Sequence, residues 1–258
     1  GGMASLLDCG ADTTKGTDRK GATKMAGTGR HSSGSTDFKV KAGNRYVRLQ
    51  TTLEVPARPK GNSTLFMWPG LEPLQGVSEM FNPIGRGVLQ PVLTWGTSCA
   101  PGGRTGANNY WISGMYVNVT SRERGYNGCY GGKVMDVEFG DKLYIDMRLK
   151  EGTTVWNQSI TNLSNNKTVD FDFDLKGQDQ NWALFEIEVA SSTLPSTDVI
   201  FTNSVLTLAK SEPESCTPDA FGPMDYYSAP LASKDGTKCC IERIVLREMG
   251  VPATTMDP

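Results

Sequence analysis

Histidine is almost missing from this chain: its 258 residues include one, His31, in a stretch rich in Gly, Ser and Thr. Imidazole metal sites, Ser-His-Asp triads and Cys-His dyads therefore lose their usual centre. Long apolar runs are missing as well. No segment approaches the ~18 apolar residues of a membrane span, so none is expected. Nor does one sign of charge dominate: 26 Lys+Arg face 28 Asp+Glu, a net charge of -2, and no basic block exceeds a few residues. That balance argues against nucleic acid as a partner. The six cysteines show no C-x2-C spacing and find no histidines to complete a zinc site, so the reading includes no metal and no cofactor. Amide, carboxylate, phenol or lysine chemistry remains, or binding alone.

What is present points outside the cell. Cys9, Cys99, Cys129, Cys216, Cys239 and Cys240 read as a disulfide framework. Asn-X-Ser/Thr sequons begin at Asn62, Asn118, Asn157, Asn162 and Asn166, and both features belong to an oxidising secretory route. A secreted, monomeric glycoprotein is expected. Adjacent cysteines on a strand point to opposite faces, so Cys239 and Cys240 should reach separate partners such as Cys216 and Cys9, leaving Cys99 with Cys129.

Residues 1–44 carry hardly any periodic apolar positions and read as an extended arm, followed by one domain over 45–258. From Arg45 the period becomes two. Val47, Leu49, Thr51, Leu53 and Val55 alternate with Arg48, Gln50, Thr52 and Glu54 before Pro56 ends the run. The same alternation returns over 142–149 and 169–175, and further strands are predicted near 64–69, 87–95, 109–119, 133–139, 154–161, 182–189, 199–208 and 239–248. About ten short strands without a helical period imply an all-β, antiparallel two-sheet sandwich.

Aromatics concentrate in the central block: Trp68, Trp95, Tyr110, Trp111 and Tyr116. On a concave sheet such rings grip a sugar or a peptide; in a core they supply the largest buried areas. Gln90 shares a strand face with Val88, Val92 and Thr94, and an amide on an enclosed face has to be hydrogen-bonded by protein or ligand. Asp170, Asp172 and Asp174 project from one face and read as a solvated charged edge rather than a calcium site.

The order of motifs resembles the glutamic peptidase family, the eqolisins, over about residues 45–208. It comprises Val55-Pro56, Trp68 to Leu71, Gln90 with Trp95 five residues on, the aromatic strand Tyr110 to Tyr116, the Gly140-Asp141 turn, Thr161 to Leu163, and Ile187-Glu188. The resemblance implies a concanavalin A-like jelly-roll sandwich and a glutamine–glutamate pair, in which the carboxylate activates water and the amide holds the oxyanion. Gln90 matches the glutamine. Alignment on Glu188 places Leu184 at the glutamate and Ser113 at the family's glutamate in the aromatic strand, leaving Glu186 or Glu188 on the right face but displaced by one or two pleats.

Two functions lead the expectations, beside a third reading as a structural or surface-interaction protein in which the arm 1–44 tethers the sandwich. The first is recognition, with or without cleavage, of an extracellular polysaccharide across a groove bearing Gln90, Trp68, Trp95, Tyr110 and Trp111. If cleavage is by a lyase mechanism, Gln90 with Arg48 would neutralise a uronate and Tyr116 or Tyr110 would take the proton; a glycosidase would use Glu186 and Glu188. The second is an acid endopeptidase acting on polypeptide through Gln90 and Glu186.

Overall fold

A computed structural model describes residue 9 and residues 35–74, 81–101, 108–190, 193–220 and 226–247. His31 and most of the expected arm lie outside the described residues. No α-helix occurs among them, and none of their helices is long and apolar enough to cross a membrane.

The strands form two antiparallel sheets packed as a jelly-roll sandwich. The first runs β13 (Asp219–Ala220), β1 (Ser35–Lys39), β11 (Trp182–Val189), β3 (Leu65–Glu72), β4 (Gly87–Trp95), β5 (Tyr110–Asn118), β6 (Gly128–Gly131), with β7 (Met135–Val137) also on β5. The second runs β10 (Lys167–Asp174), β9 (Val155–Asn162), β8 (Lys142–Leu149), β2 (Tyr46–Glu54), β12 (Val199–Leu208), β16 (Lys238–Leu246), β14 (Tyr226–Tyr227), with β15 (Leu231–Ala232) also on β16.

Alternation explains the core. Leu49 and Leu53 of β2, Leu143, Ile145 and Met147 of β8, and Leu89 and Leu93 of β4 are wholly buried in one cluster between the sheets. β4 and β5 depart from the half-wet pattern, since nearly every residue in both is buried. A second apolar cluster covers their outward face: Trp68, Val92, Ala100, Trp111, Met115 and Leu184. Ala100 comes from the loop that the Cys99–Cys129 disulfide ties to β6.

The sandwich starts ten residues earlier than the sequence pattern indicated. β1 pairs with β11 from Ser35–Glu186 to Lys39–Trp182. Phe38 is wholly buried and meets Phe185 edge to face at 6.4 Å. A five-residue strand with a single large apolar side chain shows no period; it is held by the ladder its long neighbour β11 offers. The other two disulfides are Cys9–Cys240 and Cys216–Cys239, so the adjacent pair does reach separate partners.

Candidate active site

Register fixes which side chains meet on the outward face of the first sheet. The β3–β4 ladder pairs Leu65–Trp95, Phe66–Thr94 and Met67–Leu93, then resumes at Leu71–Leu89. In the gap that register sets Pro69 opposite Pro91, two residues without an N–H to give the ladder, and Gly70 opposite Gln90. Gly70 in turn pairs with Leu184 of β11, and Leu184 with Asp37 of β1. One level through Gln90 therefore reads Gln90, Gly70, Leu184, Asp37.

Carboxyls bracket that level. Two positions along, Glu72 pairs with Trp182; two positions the other way, Glu186 pairs with Trp68. Glu72 and Gln90 are diagonal neighbours on adjacent strands, a relation of roughly 7–8 Å that long side chains span. Gly70 is required between them: a Cβ there would lie 2.6 Å from Cζ3 of Trp68, whose ring leans across it. Trp68 Nε1 donates to Glu188 Oε2 at 3.3 Å. Trp182 Nε1 donates to Asp37 Oδ2, and Lys39 Nζ lies 3.3 Å from the same oxygen and 5.2 Å from the centre of the Trp182 ring.

These surroundings separate the roles of the carboxyls. Asp37 has a cation and an indole N–H on one oxygen. Glu72 is pushed up to about 7, chiefly by burial, with Arg86 pulling it back and Asp37 pushing further. Half-buried Glu186 is also pushed up to about 7, by burial first and then by the charges of Glu188, Glu72 and Asp37. Groups that titrate there can give or take a proton near neutrality. Beside them, the buried side-chain oxygens of Gln90, Thr94 and Ser113 have no hydrogen-bond partner among the described residues. All three surround Val92 on the same face, since Val92 pairs with Ser113.

The other residues singled out from the sequence divide by face. Trp68 and Trp111 share the face of Gln90, but Trp68 is 6 % exposed and Trp111 not at all, its Nε1 donating to the Gly96 carbonyl at 2.8 Å. Tyr116, Tyr110 and Trp95 point the opposite way, into the core. Tyr116 stacks on Phe173 at 4.5 Å and its hydroxyl, accepting from Asn118 Nδ2 at 2.9 Å, is pushed up to about 12 by burial. Tyr110 donates to the Ala57 carbonyl at 2.9 Å and meets Trp95 edge to face at 4.9 Å. Arg48 lies on the outer face of the second sheet, forked onto Asp146 with both contacts at 2.8 Å. An elimination site built from Arg48, Gln90 and Tyr116 is thus ruled out, because these side chains occupy three different surfaces. On β10, Asp172 takes hydrogen bonds from Lys150 and Asn157, and Asp174 from Thr154.

Comparison with protein families and with curated proteins found no match. Solved structures similar to the chain include scytalido-glutamic peptidase bound to a peptide-based transition state analog, 14% identical, covering 83% of this chain and 98% of that one at a TM-score of 0.47. They also include SCP-B, an eqolisin peptidase in complex with the tripeptide Ala-Ile-His, at 14% identity, 85% and 99% coverage and a TM-score of 0.48. A Bacteroides ovatus mixed-linkage glucan GH16 protein in complex with its product stands at 10% identity, 83% and 79% coverage and a TM-score of 0.36. The chain resembles the eqolisins. The likeness is one of sandwich outline, and function has to be argued from the side chains themselves.

Glu72 and Asp37 were not among the residues singled out from sequence. Glu72 lies three residues past the predicted strand end at 69, and its shared parity with Trp68 and Gly70 follows from β3 running on to Glu72. Asp37 was not legible either, because nothing in the composition around it marks a strand.

Proposed function

We propose that the chain is a secreted hydrolase that holds an extended polypeptide across the outward face of the first sheet and cleaves it with Gln90, Glu72 and Glu186. The observation that carries this reading is the buried oxygen of Gln90, without a hydrogen-bond partner among the described residues and diagonal to a buried carboxyl, with a second carboxyl on the far side of Gly70. In this mechanism the ionised Glu72 takes a proton from a water whose hydrogen the Gln90 oxygen accepts, and that water oxygen attacks the peptide carbonyl. The Gln90 amide N–H donates to the developing oxyanion. As the C–N bond breaks, protonated Glu186 gives its proton to the departing amine. Leu184 stands level with Gln90, so no carboxyl comes from that position, and the two glutamates serve from a pleat to either side.

Polypeptide is favoured over polysaccharide because Trp68 and Trp111, the tryptophans flanking Gln90, are buried and present no open ring for sugar stacking. The half-buried ring of Trp182 is the feature that favours a polysaccharide as second reading. With both carboxyls near 7, the rate should rise from pH 5, peak near 7 and fall above, instead of peaking in acid. The test is turnover of denatured casein and of neutral and uronate polysaccharides from pH 3 to 9. Loss of at least a hundredfold in Gln90→Ala and Glu72→Gln is expected on casein. Wild-type turnover in both variants, or cleavage confined to polysaccharide, overturns the reading.

A further inference from the structure

The five sequons are not equivalent once folded, and the structure sorts them by what holds each asparagine nitrogen. Asn118 is buried: its Nδ2 donates to the Ile84 carbonyl at 2.7 Å and to Tyr116 Oη at 2.9 Å, while its Oδ1 accepts from the Thr120 and Ser121 amides. Asn157 is buried with Nδ2 on Asp172 Oδ1 at 2.7 Å. Asn162 is wholly buried with Nδ2 on Asp141 Oδ2 at 2.7 Å and Oδ1 taking the Ser164 amide at 2.9 Å. A glycan on any of these nitrogens removes an N–H already committed to a partner in the fold and forces a sugar into a hydrogen-bond gap.

Asn62 and Asn166 differ. Asn62 is exposed in the loop entering β3, and Asn166 is exposed in the β9–β10 turn, in a left-handed conformation (φ 60°) that asparagine tolerates. Neither side chain belongs to the face around Gln90. We infer that Asn62 and Asn166 are N-glycosylation sites and that Asn118, Asn157 and Asn162 carry structure instead. In the transfer, Asn Nδ2 displaces the diphosphate from the anomeric carbon of a lipid-linked oligosaccharide: a C–N bond forms, the C–O bond to diphosphate breaks, and the amide proton leaves to the transferase.

The inference rests on the secretory reading. A eukaryotic secretory host and an added leader supply that route, so site choice is read separately from where the natural chain goes. The full chain is recovered from medium and cells, and each sequon is mapped after enzymatic deglycosylation in heavy-oxygen water, which converts an occupied Asn to a labelled Asp. Label at Asn62 and Asn166 in the folded, disulfide-bonded fraction is expected, with one glycan mass lost in each of Asn62→Gln and Asn166→Gln. Label at Asn118, Asn157 or Asn162 in that fraction, or label at none of the five, overturns the inference.

Discussion

Gly70 decides more of the candidate site than any charged residue in it. Its missing side chain is what lets the Trp68 ring lean over the strand at that level, and a Cβ would also press within 3.2 Å of Val88. An indole packed in a buried cluster has little room to retreat, so Gly70→Ala should cost about 1–3 kcal/mol as an overpacking change. Denaturant unfolding reads the cost, and Trp68 emission should shift to the red as the ring is pushed toward water. Unchanged stability and emission would mean the ring does not lie where the geometry puts it. Parity along the strand predicted at 64–69 stopped short of Gly70 and Glu72, and parity along β5 sorted nothing, because both its faces are apolar. Tyr116 and Trp111 could not be sorted into core and outward face until the strand was seen between its neighbours.

The same limit operates at the scale of elements. Strands with one wet face, such as β2, β8 and β10, stood out by alternation, while β1 did not, since its stability comes from the β11 ladder and not from its own pattern. Disulfide pairing was partly legible because Cys239 and Cys240 cannot share a face of β16. What sequence could not show is the work done by Cys99–Cys129, which ties the loop bearing Ala100 to β6, where Ala100 joins Trp111 in the apolar cluster on the outward face. The bridge closes a loop spanning 30 positions, for which chain entropy predicts about 3–4 kcal/mol. A Cys99→Ala, Cys129→Ala double variant should lose stability of that order and admit quencher to Trp111. If acrylamide quenching of the folded variant stays at the wild-type level, the loop is not the cover.

For the molecule as a whole, the carboxyls set how stability depends on pH. Glu72 and Glu186 have an ordinary value of 4.5 and are raised to about 7 in the fold. The folded state therefore binds more protons than the unfolded chain between these limits, and stability present below 4.5 is lost as pH rises through 7. Each tenfold gain in proton affinity on folding is worth ~1.4 kcal/mol, so a rise from 4.5 to about 7 is worth ~3 kcal/mol for each glutamate and at most about 7 kcal/mol for the two. Asp172 and Asp174 act the other way: hydrogen bonds from Lys150 and Asn157, and from Thr154, hold them below the usual carboxylate range, so their contribution is lost as pH falls into acid. Thermal stability should accordingly peak near pH 4–5 and decline toward pH 8 by on the order of 10–25 °C, at ~2–4 °C per kcal/mol for a domain of this size. The Glu72→Gln, Glu186→Gln double variant keeps the packing but cannot ionise, so its melting temperature should stay level from pH 5 to 8 and exceed the wild type at pH 8. A wild type already flat over that range, or a variant that declines in parallel with it, would show that the glutamates are not held in the buried cluster. If the decline is seen and the variant abolishes it, the chain is spending stability at neutral pH to keep two carboxyls where proton transfer needs them, which is the trade an active site makes and a purely structural face does not.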